Sequence, residues 1–267
     1  MRLIHLPARQ RTPRFSPDGR TIAFSDTQRS QGDLCLLEVA TLKVRRLTSS
    51  PASDDCPAWS PDGKRLAFHS DRGGDSNLWL VDVRTGKLQQ LTTFPGRDGF
   101  PTFSPDGKVL AFQSEGLGNM DIWLLRLGQP GRTPLTTDPA DDTTPAWSPD
   151  GSQIAFSSMR GGSADIWLMQ ADGSGQHPLT RSRANDWAPA WSPDSRRLAF
   201  CRSQGQGTAL WLLDLATRRE RRLTDGRARD FDPCWSPDGA CLVFESDRGG
   251  ESDLWTLPVG AGGNGEG

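Results

Sequence analysis

The sequence predicts an all-β fold, a six-bladed β-propeller with four antiparallel strands in each blade. Three observations lead there. The turn Ser-Pro-Asp-Gly begins at Ser16, Ser60, Ser104, Ser148 and Ser236, its variant Ser-Pro-Asp-Ser begins at Ser192, and every interval is 44 residues. Six units of 44 span 264 of the 267 residues, so the repeat is the architecture. Aromatic residues recur in phase with the turn. The eighth residue after the motif serine is always Phe (Phe24, Phe68, Phe112, Phe156, Phe200, Phe244), and the residue before it is Phe15, Trp59, Phe103, Trp147, Trp191 or Trp235. The nineteenth is Trp79, Trp123, Trp167, Trp211 or Trp255, with Cys35 in the first unit. Within a unit the apolar period is two, and four short strands per repeat of ~40–50 residues is the pattern of a propeller blade.

The second unit shows the elements in order. Strand A ends at Trp59, strand B covers about Arg65–Ser70, strand C about Asn77–Val83 and strand D about Leu88–Thr92. Pro-Asp-Gly between A and B reads as a type I turn with Gly63 at positive φ, closing a bulged hairpin. Its carboxylate (Asp18, Asp62, Asp106, Asp150, Asp194, Asp238) is expected to bond nearby backbone. Ser195 stands where the other units have the turn glycine. It is expected to be forced to positive φ at about 1 kcal/mol, so that Ser195→Gly stabilises. A proline three residues before each motif serine (Pro13, Pro57, Pro101, Pro145, Pro189, Pro233) marks strand A as an edge, the one that faces the central channel.

Ring closure is also legible. Leu-Thr ends five units, at Leu47, Leu91, Leu135, Leu179 and Leu223, and is missing from the sixth. Arg2-Leu3-Ile4 stands in register with Arg46-Leu47-Thr48, so the N-terminal strand is expected to complete the last blade. The blades are then about 5–48, 49–92, 93–136, 137–180, 181–224 and 225–258 plus 1–4. Together they form a single domain over 1–258, with 259–267 a flexible Gly-rich tail.

Composition removes several classes of function. With 31 basic and 33 acidic residues the net charge is −2, so no global field draws nucleic acid to the chain. Mean hydropathy is −0.57, and no apolar run approaches the ~18–20 residues that span a bilayer. The N-terminal stretch Met1–Pro7 lacks the apolar core of a secretory signal. The chain as written is expected in the cytoplasm, or in the periplasm if the true start lies upstream. Cys35, Cys56, Cys201, Cys234 and Cys241 show neither CxxC nor even spacing, so no zinc site, disulfide framework or cofactor is indicated. His5, His69 and His177 fall in different environments, and spacing suggests no Cys–His or Ser–His pair. No Gly-x-Ser-x-Gly elbow occurs, and no catalytic constellation is found. Arg218–Arg222 reads as a solvated outer strand that blunts edge pairing.

Residues that every blade demands serve the blade; departures carry the functional interest. Six residues before the motif serine stand Asp54, Asp98, Asp142, Asp186 and Asp230, with Gln10 in the first unit. Twelve after it stand Arg72, Arg160 and Arg248 in three units. Antiparallel pairing places both sets on the face that carries the D-to-A and B-to-C connections, around the channel mouth. They are expected to form Asp–Arg latches between neighbouring blades. The alternative is a carboxylate ring that holds a hard cation or cationic groups of a partner. Four aromatics lie outside the repeat positions: Phe94, Phe100, Trp187 and Phe231, all in D-to-A connections on that same face. They serve either as local lid packing or as anchors for a peptide or protein segment.

The pattern Pro-x-Trp-Ser-Pro-Asp-Gly-x-x-(Ile/Leu)-Ala-Phe-x-Ser, then Arg-Gly-Gly, Asp-(Ile/Leu)-Trp and Leu-Thr, resembles the TolB-type β-propeller repeat over essentially the whole chain. The resemblance implies a non-enzymatic scaffold that binds a protein or peptide; the residues outside the repeat put that site at the channel mouth, and the chain is expected as a monomer without nucleic acid or membrane insertion. On this reading Trp187, Phe231, Phe100, Phe94, Arg72, Arg160 and Arg248 meet the partner. The alternative it implies is a propeller of, or derived from, a prolyl-oligopeptidase-like hydrolase or a metal-dependent lyase.

Overall fold

The computed structural model describes residues 1–27 and 31–260. Among the described residues, twenty-four strands form six four-stranded antiparallel sheets. Blade 1 is β2 (Gln10–Phe15), β3 (Thr21–Asp26), β4 (Asp33–Glu38) and β5 (Val44–Arg46). Blade 2 follows with β6 (Asp54–Trp59), β7 (Arg65–Gly73), β8 (Asp75–Asp82) and β9 (Leu88–Gln90). Blades 3, 4 and 5 repeat the order over β10–β13, β14–β17 and β18–β21, and their inner strands are β10 (Asp98–Phe103), β14 (Asp142–Trp147) and β18 (Asp186–Trp191). Blade 6 takes β22 (Asp230–Trp235), β23 (Cys241–Ser246) and β24 (Asp253–Pro258), and β1 (Arg2–Ile4) pairs with β24 as its outer strand. The ring therefore closes through the N-terminal strand. Val259, which the sequence reading assigns to the tail, is buried against blades 5 and 6. Residues 261–267 of that expected tail, and Gln28 of the first unit, lie outside the described residues.

The core lies between blades. Ala58, Ala67, Leu78 and Leu80 of blade 2 pack on Phe103, Leu110, Phe112 and Trp123 of blade 3. Ile4, Val243 and Leu254 of blade 6 pack on Ile22, Phe24 and Leu37 of blade 1. The six Phe at the eighth position are at most 1 % exposed. Where Trp precedes the motif serine, its indole N–H can cross the blade boundary, as from Trp59 to the Arg14 carbonyl and from Trp191 to the Ala146 carbonyl, both at 3.0 Å.

The turn is held as its chemistry requires. Each motif serine donates its hydroxyl to the turn carboxylate, from Ser16 to Asp18 at 2.6 Å for example, and accepts the amide five residues on. This hydroxyl bond and a backbone N–H hold Asp18, Asp62, Asp106 and Asp238 below the usual carboxylate range. Ser195 sits at φ +57°, as the missing glycine implies, but its hydroxyl also accepts the Asp150 amide of blade 4.

Candidate functional site

Strand A of every blade carries a bulge at the same place. The fourth residue before each motif serine (Thr12, Cys56, Phe100, Thr144, Ala188, Asp232) has φ between +48° and +54°, immediately before the proline. The ladder to strand B shifts register there in all six blades. Such a bulge re-aims side chains. Here it turns residues toward the axis. A cavity of about 430 Å³ runs along that axis, walled by residues of all six blades, among them Cys56, Phe100, Thr144, Ala188 and Asp232.

One residue earlier on the same strands stand Arg11, Asp55, Gly99, Thr143, Trp187 and Phe231, paired across the ladder with Ser25, His69, Gln113, Ser157, Cys201 and Glu245. This tier is chemically divided. Trp187 and Phe231, from neighbouring blades, are half-buried with ring centroids 6.3 Å apart. Asp55 gathers hydroxyl bonds from Thr12 at 2.9 Å and Ser25 at 2.7 Å, with Arg11 at 3.6 Å. Burial raises the Asp55 carboxyl, but His69 first, then the Ser25 hydroxyl, Arg11 and the Cys56 amide outweigh it and leave it below its usual value. Burial holds His69 below the usual imidazole value, and burial pushes the Glu245 carboxyl up to about 7. His69 contacts the Phe100 ring at 6.2 Å.

The Asp–Arg latches lie within blades, not between neighbouring blades. Asp54, Asp98, Asp142, Asp186 and Asp230 are at most 1 % exposed, and none lines the axial cavity. Arg72 meets Asp54, Arg160 meets Asp142 and Arg248 meets Asp230, each at 2.5 Å. Two further partners come from positions the spacing did not single out. Arg132 donates to Asp98 at 2.9 Å, and Arg202 to Asp186 at 2.6 Å. All five guanidiniums lie over the Trp of strand C, 4.4–5.1 Å from its centroid. Phe94 joins this arrangement in blade 3, its ring centroid 4.4 Å from the Arg132 guanidinium. Burial still raises the Asp98 and Asp142 carboxyls, against hydrogen bonds from Ser114 and Ser158. The five carboxylates are thus latched to arginines, as expected, but in separate intrablade pairs and not in the alternative arrangement of a carboxylate ring.

The structure also brings together a Cys–His pair that sequence spacing did not suggest. Cys56 and His69, with Asp55, each offer a ligand atom within 4.8 Å of the others. Residue type was the only signal available, because the contact depends on the bulge.

These features define a six-bladed, velcro-closed propeller with an axial cavity. The TolB beta propeller domain family matches residues 3–93, 73–187 and 177–265, and the chain belongs to it. The chain is similar in fold to a putative TolB from Agrobacterium tumefaciens, at 23 % identity and a TM-score of 0.80 over 97 % of this chain and 93 % of that one. It is likewise similar to TolB from Acinetobacter baumannii, at 24 % identity and a TM-score of 0.75 over 96 % of this chain and 64 % of that one. An oligogalacturonate lyase from Vibrio parahaemolyticus shares the fold at 15 % identity and a TM-score of 0.67, over 97 % and 93 % of the two chains. No curated protein matches the sequence. Among the described residues, no helix is long and apolar enough to cross a membrane.

Proposed function

We propose that this propeller is a non-enzymatic binding module that receives a protein or peptide segment at the axial mouth on the D-to-A face. The observation that carries this reading is the Trp187–Phe231 pair. The repeat does not require either ring, both are half-buried, and they stand one residue beyond the D-to-A end of the axial cavity, whose wall runs on to the turn prolines Pro17, Pro149, Pro193 and Pro237. Large aromatic side chains anchor protein interfaces, and truncating a central anchor costs above about 2 kcal/mol. Phe100, on the cavity wall, extends the aromatic sector inward. Arg11, Asp55 and His69 in blades 1 and 2 supply polar groups across the same tier, which suits a segment with an apolar anchor and polar flanks. Phe94, Arg72, Arg160 and Arg248 are engaged in intrablade stacking and ion pairs, so their part is to stiffen the rim.

The test starts from a partner captured on immobilised protein and then measured with purified components. Trp187→Ala and Phe231→Ala are each expected to weaken binding tenfold or more with little change in melting temperature. Normal binding by both variants removes the mouth as the site, and unfolding of both returns the pair to a packing role.

A further inference from the structure

Blade 2 carries a different chemistry on the axial wall. Asp55 and Cys56 are consecutive in β6, and in a regular strand they would point to opposite faces. The bulge between Asp55 and Ala58, with Cys56 at φ +54°, brings both to one side. His69 in β7 is the cross-strand partner of Asp55. Carboxylate oxygen, thiol sulfur and imidazole nitrogen consequently lie within 4.8 Å of one another.

Three further observations point to a ligand at this cluster. Nδ1 of His69 is buried and has no hydrogen-bond partner among the described residues. The Asp55 carboxylate is oriented as ligating carboxylates are, through hydrogen bonds to one oxygen. Its Oδ1 accepts the Thr12 hydroxyl at 2.9 Å, the Ser25 hydroxyl at 2.7 Å and the Cys56 amide at 2.7 Å. Its Oδ2 faces Arg11 at 3.6 Å, a long, half-exposed side chain that can swing outward. Finally, Cys56 lines the axial cavity, which supplies both an entry path and space for an open coordination position.

The other blades have the same backbone at these positions but not the same donors. Their triplets are Arg11, Thr12 and Ser25; Gly99, Phe100 and Gln113; Thr143, Thr144 and Ser157; Trp187, Ala188 and Cys201; and Phe231, Asp232 and Glu245. The fold therefore asks for the bulge, and blade 2 alone fills it with sulfur, nitrogen and oxygen ligands. A thiolate and an imidazole select zinc-like ions over calcium and magnesium, which take oxygen.

We infer that Asp55, Cys56 and His69 form a site for a divalent transition metal of the zinc class, with three protein ligands and the fourth position open to the axial cavity. A tetrahedral zinc ion holds its ligands about 3.5 Å apart, so the side chains draw in by roughly 1 Å on binding. The site does not rest on the peptide-binding reading, and either can fail alone.

The test is a titration of the chelator-treated full chain with Co²⁺, followed by the near-ultraviolet thiolate-to-cobalt charge-transfer band. One equivalent per chain is expected, displaced by Zn²⁺ and not by Ca²⁺. Cys56→Ser is expected to abolish the band and weaken Zn²⁺ binding at least tenfold, whereas Cys201→Ser keeps both. His69→Gln retains the thiol, is expected to weaken binding at least tenfold, and decides the question if Cys56→Ser does not fold. Absence of the band in the unmutated protein overturns the inference, as does a band that survives Cys56→Ser or an affinity unchanged in His69→Gln.

Discussion

Removing Asp186 tests whether the buried latches hold the blades. Its carboxylate is fully buried and accepts two bonds from Arg202, from Nε at 2.6 Å and Nη2 at 2.7 Å. Arg202 also donates Nη1 to Glu220 at 2.6 Å and lies 5.2 Å over Phe200 and 4.5 Å over Trp211. In Asp186→Ala the guanidinium remains, only 10 % exposed, with Glu220 as its one carboxylate. Breaking a buried pair by deleting one partner costs about 3–5 kcal/mol. Because Glu220 still compensates part of the charge, the lower end applies, about 3 kcal/mol. At a typical unfolding entropy per residue, a chain of this length loses roughly 2 °C per kcal/mol, so the melting temperature should fall by roughly 6 °C. The companion variant Asp186→Leu with Arg202→Met replaces the pair by apolar groups and should lie within about 1 kcal/mol of the original, since buried pairs often barely exceed hydrophobic substitutes. Urea denaturation of the single and double variants measures both costs. A cost below about 1 kcal/mol for Asp186→Ala, or a double variant no more stable than the single, refutes the argument.

Three other outcomes follow from the same structure. Deleting residues 1–6 removes β1 and the apolar contacts of Leu3, Ile4 and Leu6 with blades 6 and 1, and should cost at least about 5 kcal/mol in thermal unfolding. Phe112→Ala empties a fully buried interblade site and should cost about 3–5 kcal/mol by urea denaturation. The Ser195 φ of +57° favours glycine by about 1 kcal/mol, but Ser195→Gly also loses the bond from the Asp150 amide and loosens the unfolded chain. Its net effect should stay within about 0.5 kcal/mol, smaller than the turn pattern alone implies.

The repeat made the fold legible because each blade needs the same turn, the same buried Phe and the same edge proline. Six copies leave little freedom in strand order or closure. The latches were only partly legible. What a buried Asp beside Trp requires is a guanidinium at one point in space, and the chain reaches that point by three routes. Arg72 at the end of β7 and Arg160 and Arg248 in the B-to-C connections arrive from one side, Arg202 from the ladder position opposite Asp186, and Arg132 from beyond strand C. Gly116 at the usual arginine position leaves room for Arg132, since a Cβ there would collide with it. The Asp55, Cys56 and His69 cluster was not legible, because a strict period of two sends Asp55 and Cys56 to opposite faces. Only the positive φ of Cys56 reverses that.

Glu245, beside the aromatic pair in blade 6, gives the fold a pH dependence whose sign can be worked out. Its carboxyl sits in β23 opposite Phe231, accepts the Ser252 hydroxyl at 2.6 Å and is only 8 % exposed. Burial is the chief cause that lifts it from an ordinary value of 4.5 to about 7, with Asp232 and Asp55 adding to the rise and Ser252 and Arg11 opposing it. Between these values the folded chain binds the proton more tightly than the unfolded chain does, so stability falls as pH rises from about 4.5 to 7. Above pH 7 both states are ionised, and the full penalty of the buried charge is present. Glu245→Gln keeps the shape and an acceptor for Ser252 without the charge. It should therefore be more stable than the original protein at pH 8, and the difference should shrink toward pH 4. Thermal unfolding at a series of pH values measures both arms. Parallel curves for the two proteins would show that the carboxyl is solvated in the mouth, and the aromatic sector of Trp187 and Phe231 would then face an open, wet rim instead of a sheltered one.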